Sequence, residues 1–358
     1  MAFGEETFKR ALRGELAVHS SITDLKVWVH GVDAHFMCSM LGVDLSRRIV
    51  DASRVWSESG IVYPRDARSV GILSRNDFRY PQLTVYGKLP RLQLVGNETF
   101  QHFWVGFENG FAGGNSLVAF QKVLGPAGLR FNARWYDHFG WVFGKDVFVD
   151  ITPHLPPDNE TVDHQYVIRL HRNIVIYEID GRIVAIAIPC NRVGVVKSGV
   201  KPYSIMLVER VPERISVLIE WGSDRTAVAT TDLYAGIEPR HVRVSEGPQT
   251  PTLDLPLYLD DSDVRLAGHS VSTGSAVSHP FPVLGFNRKT LYFMSDTTGT
   301  LEVQVYTVSG NWRTYDSISI PANTLLSYTI DDEAVLARAV FTPSAYPASI
   351  LEAEVVMS

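Results

Sequence analysis

The stretch from Asp163 to Ile188, DHQYVIRLHRNIVIYEIDGRIVAIAI, limits the fold of this chain more than any other. Tyr166, Ile168 and Leu170 alternate with Val167 and Arg169, the period of two expected of a strand with two different faces. A second run, Ile174 to Ile179, reaches Asp180-Gly181, and a third, Arg182 to Ile188, leaves it. Asp-Gly between two β-rich runs predicts a two-residue type I′ hairpin, because both central positions need positive φ.

The rest of the chain repeats the pattern. Ser69 to Pro90 holds two β runs around Asn76-Asp77, and Phe100 to Phe107 is rich in aromatics. Asn115 to Val123, Leu129 to Tyr136, Trp141 to Ile151, Ser204 to Val211, Ile215 to Trp221 and Thr226 to Tyr234 read as further strands. Strands separated by turns, without helical periods between them, predict an all-β antiparallel sandwich over 61–244. Three prolines in Ser245 to Leu257 predict a linker over 245–257. Beyond it, runs near 290–293, 301–308, 317–320, 325–330, 336–341 and 350–356 predict a second, smaller β-sandwich over 258–358. Residues 1–60 read as a short mixed attachment segment. Phe8, Leu12 and Leu16 have helical spacing, Leu25 to His30 alternates like a strand, and Asp44 to Val55 fits either a helix or a strand pair.

Composition excludes some partners. A net charge of −6 over 358 residues, with Arg47-Arg48 the only adjacent arginines, argues against a nucleic-acid-binding face. No apolar run approaches the roughly 20 residues of a membrane span. The N-terminus lacks an apolar h-region, so no secretory signal is expected. Cys38 and Cys190 lie in apolar stretches and are expected as buried free thiols. No Cys/His cluster has zinc-ligand spacing.

Three stretches, in order, resemble the concanavalin A-like jelly roll of laminarinase-type glycoside hydrolases. Ser74 to Tyr80 followed by Gln82 to Pro90 resembles that family's strand running from Phe-x-Tyr to Lys-Leu-Pro. Phe103-Trp104 resembles the aromatic pair before its catalytic strand, and His164-Gln165-Tyr166 through Tyr177, Asp180 and Gly181 resembles its Asp-Gly hairpin. The resemblance covers about half the chain, 61–244, and implies the scaffold. It also implies a Glu-x-Asp-x-x-Glu strand carrying two carboxylates about 5 Å apart. The corresponding stretch, Asn115 to Gln121, holds no carboxylate. Glu108 stands alone in Phe107-Glu108-Asn109-Gly110, which reads as a turn. Gln101-His102 lacks the Gln-x-His spacing of jelly-roll lyases, and Gly110 to Gly114 has no Lys-Ser/Thr behind it to cradle phosphate.

The most unusual local composition is Trp135-Tyr136-Asp137-His138-Phe139-Gly140-Trp141. Trp135, Tyr136, Asp137, His138 and Trp141 are the candidate carbohydrate-binding residues, since rings stack on sugar CH groups while polar groups take the hydroxyls. The alternative is a hairpin whose aromatics fill the core. His154 reads as a surface-loop residue, and Asp158, Asn159 and Glu160 as turn residues rather than calcium ligands. Asp260-Asp261-Ser262-Asp263 reads as solvated charge, and Trp312, after Asn311, as an aromatic in a turn.

These readings predict a non-catalytic surface protein with no catalytic residues, no cofactor and no metal. A self-assembling viral or phage virion component is expected, a homo-oligomer or a partner of other virion proteins, able to bind glycan at a virion or cell surface; a cytoplasmic protein is the other possibility. The alternatives are a soluble lectin, or a glycoside hydrolase or polysaccharide lyase with a displaced catalytic pair such as Glu108 with Asp137.

Overall fold

The computed structural model describes residues 16–19, 25–30, 48–49, 56–57, 60–63, 69–74, 77–108, 114–139, 145–223, 233–248, 251–307, 309–332 and 334–358. The chain is all-β, as expected, and divides into two compact units, 1–199 with 203–248, and 200–202 with 249–358. Among the described residues the sole helical turn is Thr152–His154, which contains His154. No helix among them is long and apolar enough to cross a membrane.

The predicted hairpin forms as read. His164–His171, Ile174–Ile179 and Arg182–Pro189 are consecutive antiparallel strands. Ile179 pairs with Arg182, so Asp180 and Gly181 alone make the turn, with φ of 49° and 77°. Both values lie in the left-handed region that the turn requires. Asp180 also accepts from the Gln165 amide at 2.9 Å and from the His164 ring at 2.7 Å, which ties the turn to the strand opposite.

That hairpin sits in an eight-stranded sheet ordered 16–19, 237–246, 81–87, 164–171, 174–179, 182–189, 204–208, 194–197. Pairing is antiparallel except between 182–189 and 204–208. A second sheet runs 145–150, 128–139, 114–125, 101–108, 214–223, 69–74, 25–30, 48–49, with Phe78–Arg79 on 214–223. The inner faces of the two sheets share one core. Phe120 and Phe131 of the second sheet stack at 5.6 Å, and Phe120 meets Tyr166 and Tyr177 of the first edge-on at 5.9 and 5.4 Å. The buried Tyr177 hydroxyl donates to the Arg134 carbonyl at 2.9 Å, whereas the Tyr166 hydroxyl is buried with no hydrogen-bond partner among the described residues.

Several expectations for the ends of the first unit change. Leu16–His19 and Leu25–His30 each pair into one of the large sheets, so these parts of 1–60 are strands of the sandwich rather than a separate attachment segment. The helix expected over 5–16 lies outside the described residues except for Leu16, which begins a strand instead. The 44–55 segment apart from Arg48–Ile49, and Cys38, also lie outside them, and Cys190 is a half-buried free thiol. The stretch 245–257 is not an extended linker. Ile237–Glu246 runs into it and Leu253–Pro256 is itself a strand, on the edge of its sheet where proline removes no ladder hydrogen bond.

The second unit packs two antiparallel sheets. One runs 253–256, 348–357, 289–295, 326–329, and the other 276–277, 336–343, 299–306, 312–320. Leu301, Val303 and Val305 alternate inward with Glu302 and Gln304 outward, and Phe293 meets Phe341 at 5.0 Å in the core between the sheets. Trp312 opens the strand Trp312–Ile320 instead of lying in a turn, because its ring packs on Tyr306 at 5.2 Å and under the Arg338 guanidinium at 4.5 Å.

Two buried polar groups in the first unit fix loops that a core alone would leave free. The Lys122 side chain is fully buried. Its ammonium donates to the Pro90 carbonyl at 2.8 Å, Asn159 Oδ1 at 2.9 Å and Glu160 Oε1 at 2.7 Å. Asn159 and Glu160 are therefore structural ligands of a lysine, and Asp158 bonds the His164 ring at 3.0 Å. Replacing Lys122 by Ala leaves three acceptors unserved and is expected to cost about 3–5 kcal/mol in urea unfolding; a loss below about 1 kcal/mol would contradict the tie.

His171 is the second such group. Its Nδ1–H donates to the Pro248 carbonyl at 2.7 Å, and burial, aided by the Arg169 charge, pushes its pKa down against that bond. The unfolded chain thus takes up the proton first, and stability is lost as pH falls below the ordinary imidazole value of about 6.5. Thermal unfolding of His171→Gln against wild type between pH 7.5 and 5 is expected to show a shallower acid decline in the variant. Parallel curves would contradict it.

Candidate functional site

Residues directly opposite one another in an antiparallel ladder share a face, so the register of the second sheet sorts its side chains. Val217, Phe107, Val118, Trp135 and Val147 form one row across five strands, all facing the core. The rows one residue away face outward. The first carries Ser216, Glu108, Leu117, Tyr136 and Asp146; the next Leu218, Gly106, Ala119, Arg134 and Phe148; the third Glu220, Trp104, Gln121, Asn132 and Asp150. Asp77 directly precedes Phe78, which pairs with Ile215, and it accepts from the Ser216 hydroxyl at 2.6 Å. The first outward row therefore runs Asp77, Ser216, Glu108, with two carboxylates on either side of one hydroxyl.

The floor of this face is polar and almost withdrawn from water. Glu108, Glu220, Gln121 and Asn132 are all buried, as is the Trp104 ring, while Asp77 and Phe148 at the two ends are exposed. Gly106 and Ala119 keep the middle row low. A Cβ on Gly106 would stand 2.3 Å from the Val118 carbonyl oxygen, so the close strand approach demands glycine there. Arg134 lies over the Trp104 ring at 5.3 Å and the Phe148 ring at 5.7 Å. Asp146 holds it bidentately, with Nε to Oδ1 at 2.9 Å. Gln121 Oε1 accepts from Asn132 Nδ2 at 3.2 Å and from Arg134 at 3.3 Å. Asn132 Oδ1 is buried with no hydrogen-bond partner among the described residues. An acceptor in that state suits a ligand that brings a hydroxyl.

The strand Gly128–Phe139 divides the residues expected to form a sugar platform. Trp135 is entirely buried and donates its Nε1–H to the Arg210 carbonyl at 2.9 Å, so its ring belongs to the core and is not presented to a ligand. Asp137 shares that inward parity. It accepts from Ser116 Oγ at 2.8 Å and pairs with Arg210, whose pKa is raised chiefly by this hydrogen bond. Tyr136 alone of the three faces outward, in the row of Glu108. His138 sits opposite Asn115 in the ladder, and Trp141 lies outside the described residues. The pairing of Glu108 with Asp137 does not form either, since the two point to opposite faces of the sheet.

Glu108 is the last residue of the strand Gln101–Glu108, not part of a turn. The strand Gly114–Gly125 itself brings no carboxylate to the face. Glu108 comes from the adjacent strand 101–108 and Asp77 from beyond 214–223, and Asp77 carries no motif that marks it.

No family model matches this chain, and no curated protein matches it. Among solved structures it is similar to a Bacteroides ovatus mixed-linkage glucan GH16 protein in complex with a product, at 12% identity and TM-score 0.42, covering 64% of this chain and 98% of that one. It is similar to a Crh5 transglycosylase in complex with NAG, at 12% identity and TM-score 0.36, covering 64% and 83%. A Bacillus licheniformis beta-glucanase is similar at 12% identity and TM-score 0.30, covering 49% and 70%. These are concanavalin A-like jelly rolls, the type the sequence resembles, and the likeness is one of fold. Such neighbours are glycosidases and transglycosylases, which runs against the expectation of a non-catalytic chain, and at TM-scores below 0.5 they carry no role over to this one.

Proposed function

We propose that the first unit binds a polysaccharide across the outward face of its nine-stranded sheet and cleaves it as a glycoside hydrolase. The observation that carries this reading is the row Asp77, Ser216, Glu108, two carboxylates on one face beside a floor of Trp104, Arg134, Gln121 and Asn132. Two lateral strand spacings put the Cα atoms of Asp77 and Glu108 about 10 Å apart. Side chains of one row leave a sheet roughly parallel, so the two carboxyl groups stand well beyond the roughly 5 Å of retaining enzymes and nearer the upper end of the roughly 6.5–9.5 Å of inverting ones, which leaves room for a water between acid and base. Asp77, exposed to solvent, is the base that activates water. Glu108, buried in the floor, gives its proton to the leaving glycosidic oxygen. Tyr136, half-buried in the row of Glu108, offers a ring for a sugar face, and Asn132 Oδ1 accepts from a sugar hydroxyl. No observation favours the virion role over this one.

Hydrolysis of β-glucans and related polysaccharides by the purified chain tests the pair. Glu108→Gln and Asp77→Asn are each expected to lower kcat by about 100-fold or more while glycan binding persists. Turnover unchanged in both variants would overturn the pair, and binding without any turnover by wild type would leave a lectin. Asn132→Ala is expected to weaken binding about 3- to 10-fold, the value of one neutral hydrogen bond. Unaltered affinity in affinity electrophoresis would remove Asn132 from the site.

A further inference from the structure

We propose that the second unit binds one divalent cation of the zinc class through Asp260, Asp261 and His279. The three offer ligand atoms that all lie within 4.8 Å of one another. His279 Nδ1 stands 3.5 Å from Asp260 Oδ1 and 3.9 Å from Asp261 Oδ1. Both separations exceed a normal hydrogen bond. They are close to the span of roughly 3.4 Å between two ligands that share a tetrahedral ion at bond lengths of about 2.1 Å.

The backbone brings the three donors together from two segments. The His279 amide donates to the Tyr258 carbonyl at 2.7 Å, and the Asp260 amide to the Val277 carbonyl at 3.0 Å, so the two segments are laced on either side of the cluster. Leu259 and Ser278 form a bridge between them. Ser278 Oγ accepts from the Ala339 amide at 2.8 Å, which anchors the histidine's segment to the sheet. Asp261 is held at a φ of 56°, in the left-handed region, so its carboxylate comes from a turn that ordinary residues avoid.

The environment is graded from dry to wet. The His279 side chain is 1% exposed, that of Asp260 29% and that of Asp261 48%. A desolvated imidazole therefore sits behind two carboxylates, one of which opens to solvent and gives an ion its way in. Three protein donors leave a fourth position for water. An imidazole among the donors selects against calcium and magnesium, which take oxygen ligands, and favours zinc or a similar borderline ion. Arg338 feels the Asp260 charge, but its Nε is given to Gln304 at 2.9 Å and its guanidinium lies over Trp312. In the sequence His279 stands 18 residues from the Asp260-Asp261 pair, a separation that matches no metal-ligand spacing rule.

Isothermal titration of the tag-free, EDTA-stripped full chain with zinc chloride, and separately with calcium chloride, tests the assignment. One equivalent of zinc is expected to bind with a Kd of about 10 μM or tighter, with calcium at least 10-fold weaker. His279→Gln is expected to abolish that binding. Asp261→Asn, at a half-exposed position where folding is not at risk, is expected to weaken it about 10-fold or more while the melting profile without metal stays that of wild type. No zinc uptake by wild type, a calcium preference, or undiminished affinity in Asp261→Asn would each overturn the site.

Discussion

Register in the second sheet is the constraint on which everything else depends. Strands 101–108, 114–125, 128–139 and 214–223 each send one set of alternate residues inward, where Phe103, Phe107, Phe120, Phe131 and Trp135 fill the core. The other set faces out and carries Glu108, Trp104, Gln121, Asn132 and Arg134. A slip of one residue in any ladder would exchange the two sets, burying carboxylates against aromatics. The inner rows therefore hold the outer rows in place, and the hydrophobic energy that builds the sandwich also positions the polar outward face.

The polar floor costs stability where its groups are unserved and gains order where they are. Arg134 shows the second case, fixed by Asp146, Gln121 and two aromatic rings at once. Asn132 Oδ1 shows the first. Buried polar networks specify one arrangement when complete and mark a place for something else when incomplete. At the far end of the same sheet Lys122 is complete. It takes three acceptors from two loops, and so converts a charge inside the core into a clamp on both of them.

What the sequence makes legible follows from local periodicity. The 163–188 hairpin is readable because its turn chemistry and its alternation agree, and so are the longer strands of the second sandwich such as Gly299–Tyr306. The short Leu253–Pro256, Ser270–Val271, Ala276–Val277 and Phe281–Pro282 carry too little alternation to be seen. The run 135–141 looked like one aromatic cluster because composition was read without parity; the strand sends Trp135 and Asp137 one way and Tyr136 the other. Parity applied to Phe131, Ala133 and Trp135 against Asn132, Arg134 and Tyr136 would have found the outward face from the sequence alone. The meeting of Asp77 with Ser216, or of His279 with Asp260, has no such signal, since each joins residues far apart in the chain or across a turn.

With Asp77 and Glu108 on one outward row, two strands apart, the proposed acid and base have a stereochemical consequence. Proton NMR of the anomeric region during the first minutes of polysaccharide cleavage reads it directly. The newly released reducing end is expected to carry the inverted configuration before mutarotation. A product with retained configuration would contradict the Asp77 and Glu108 pair, and with it the claim that the outer row of this sheet performs the chemistry.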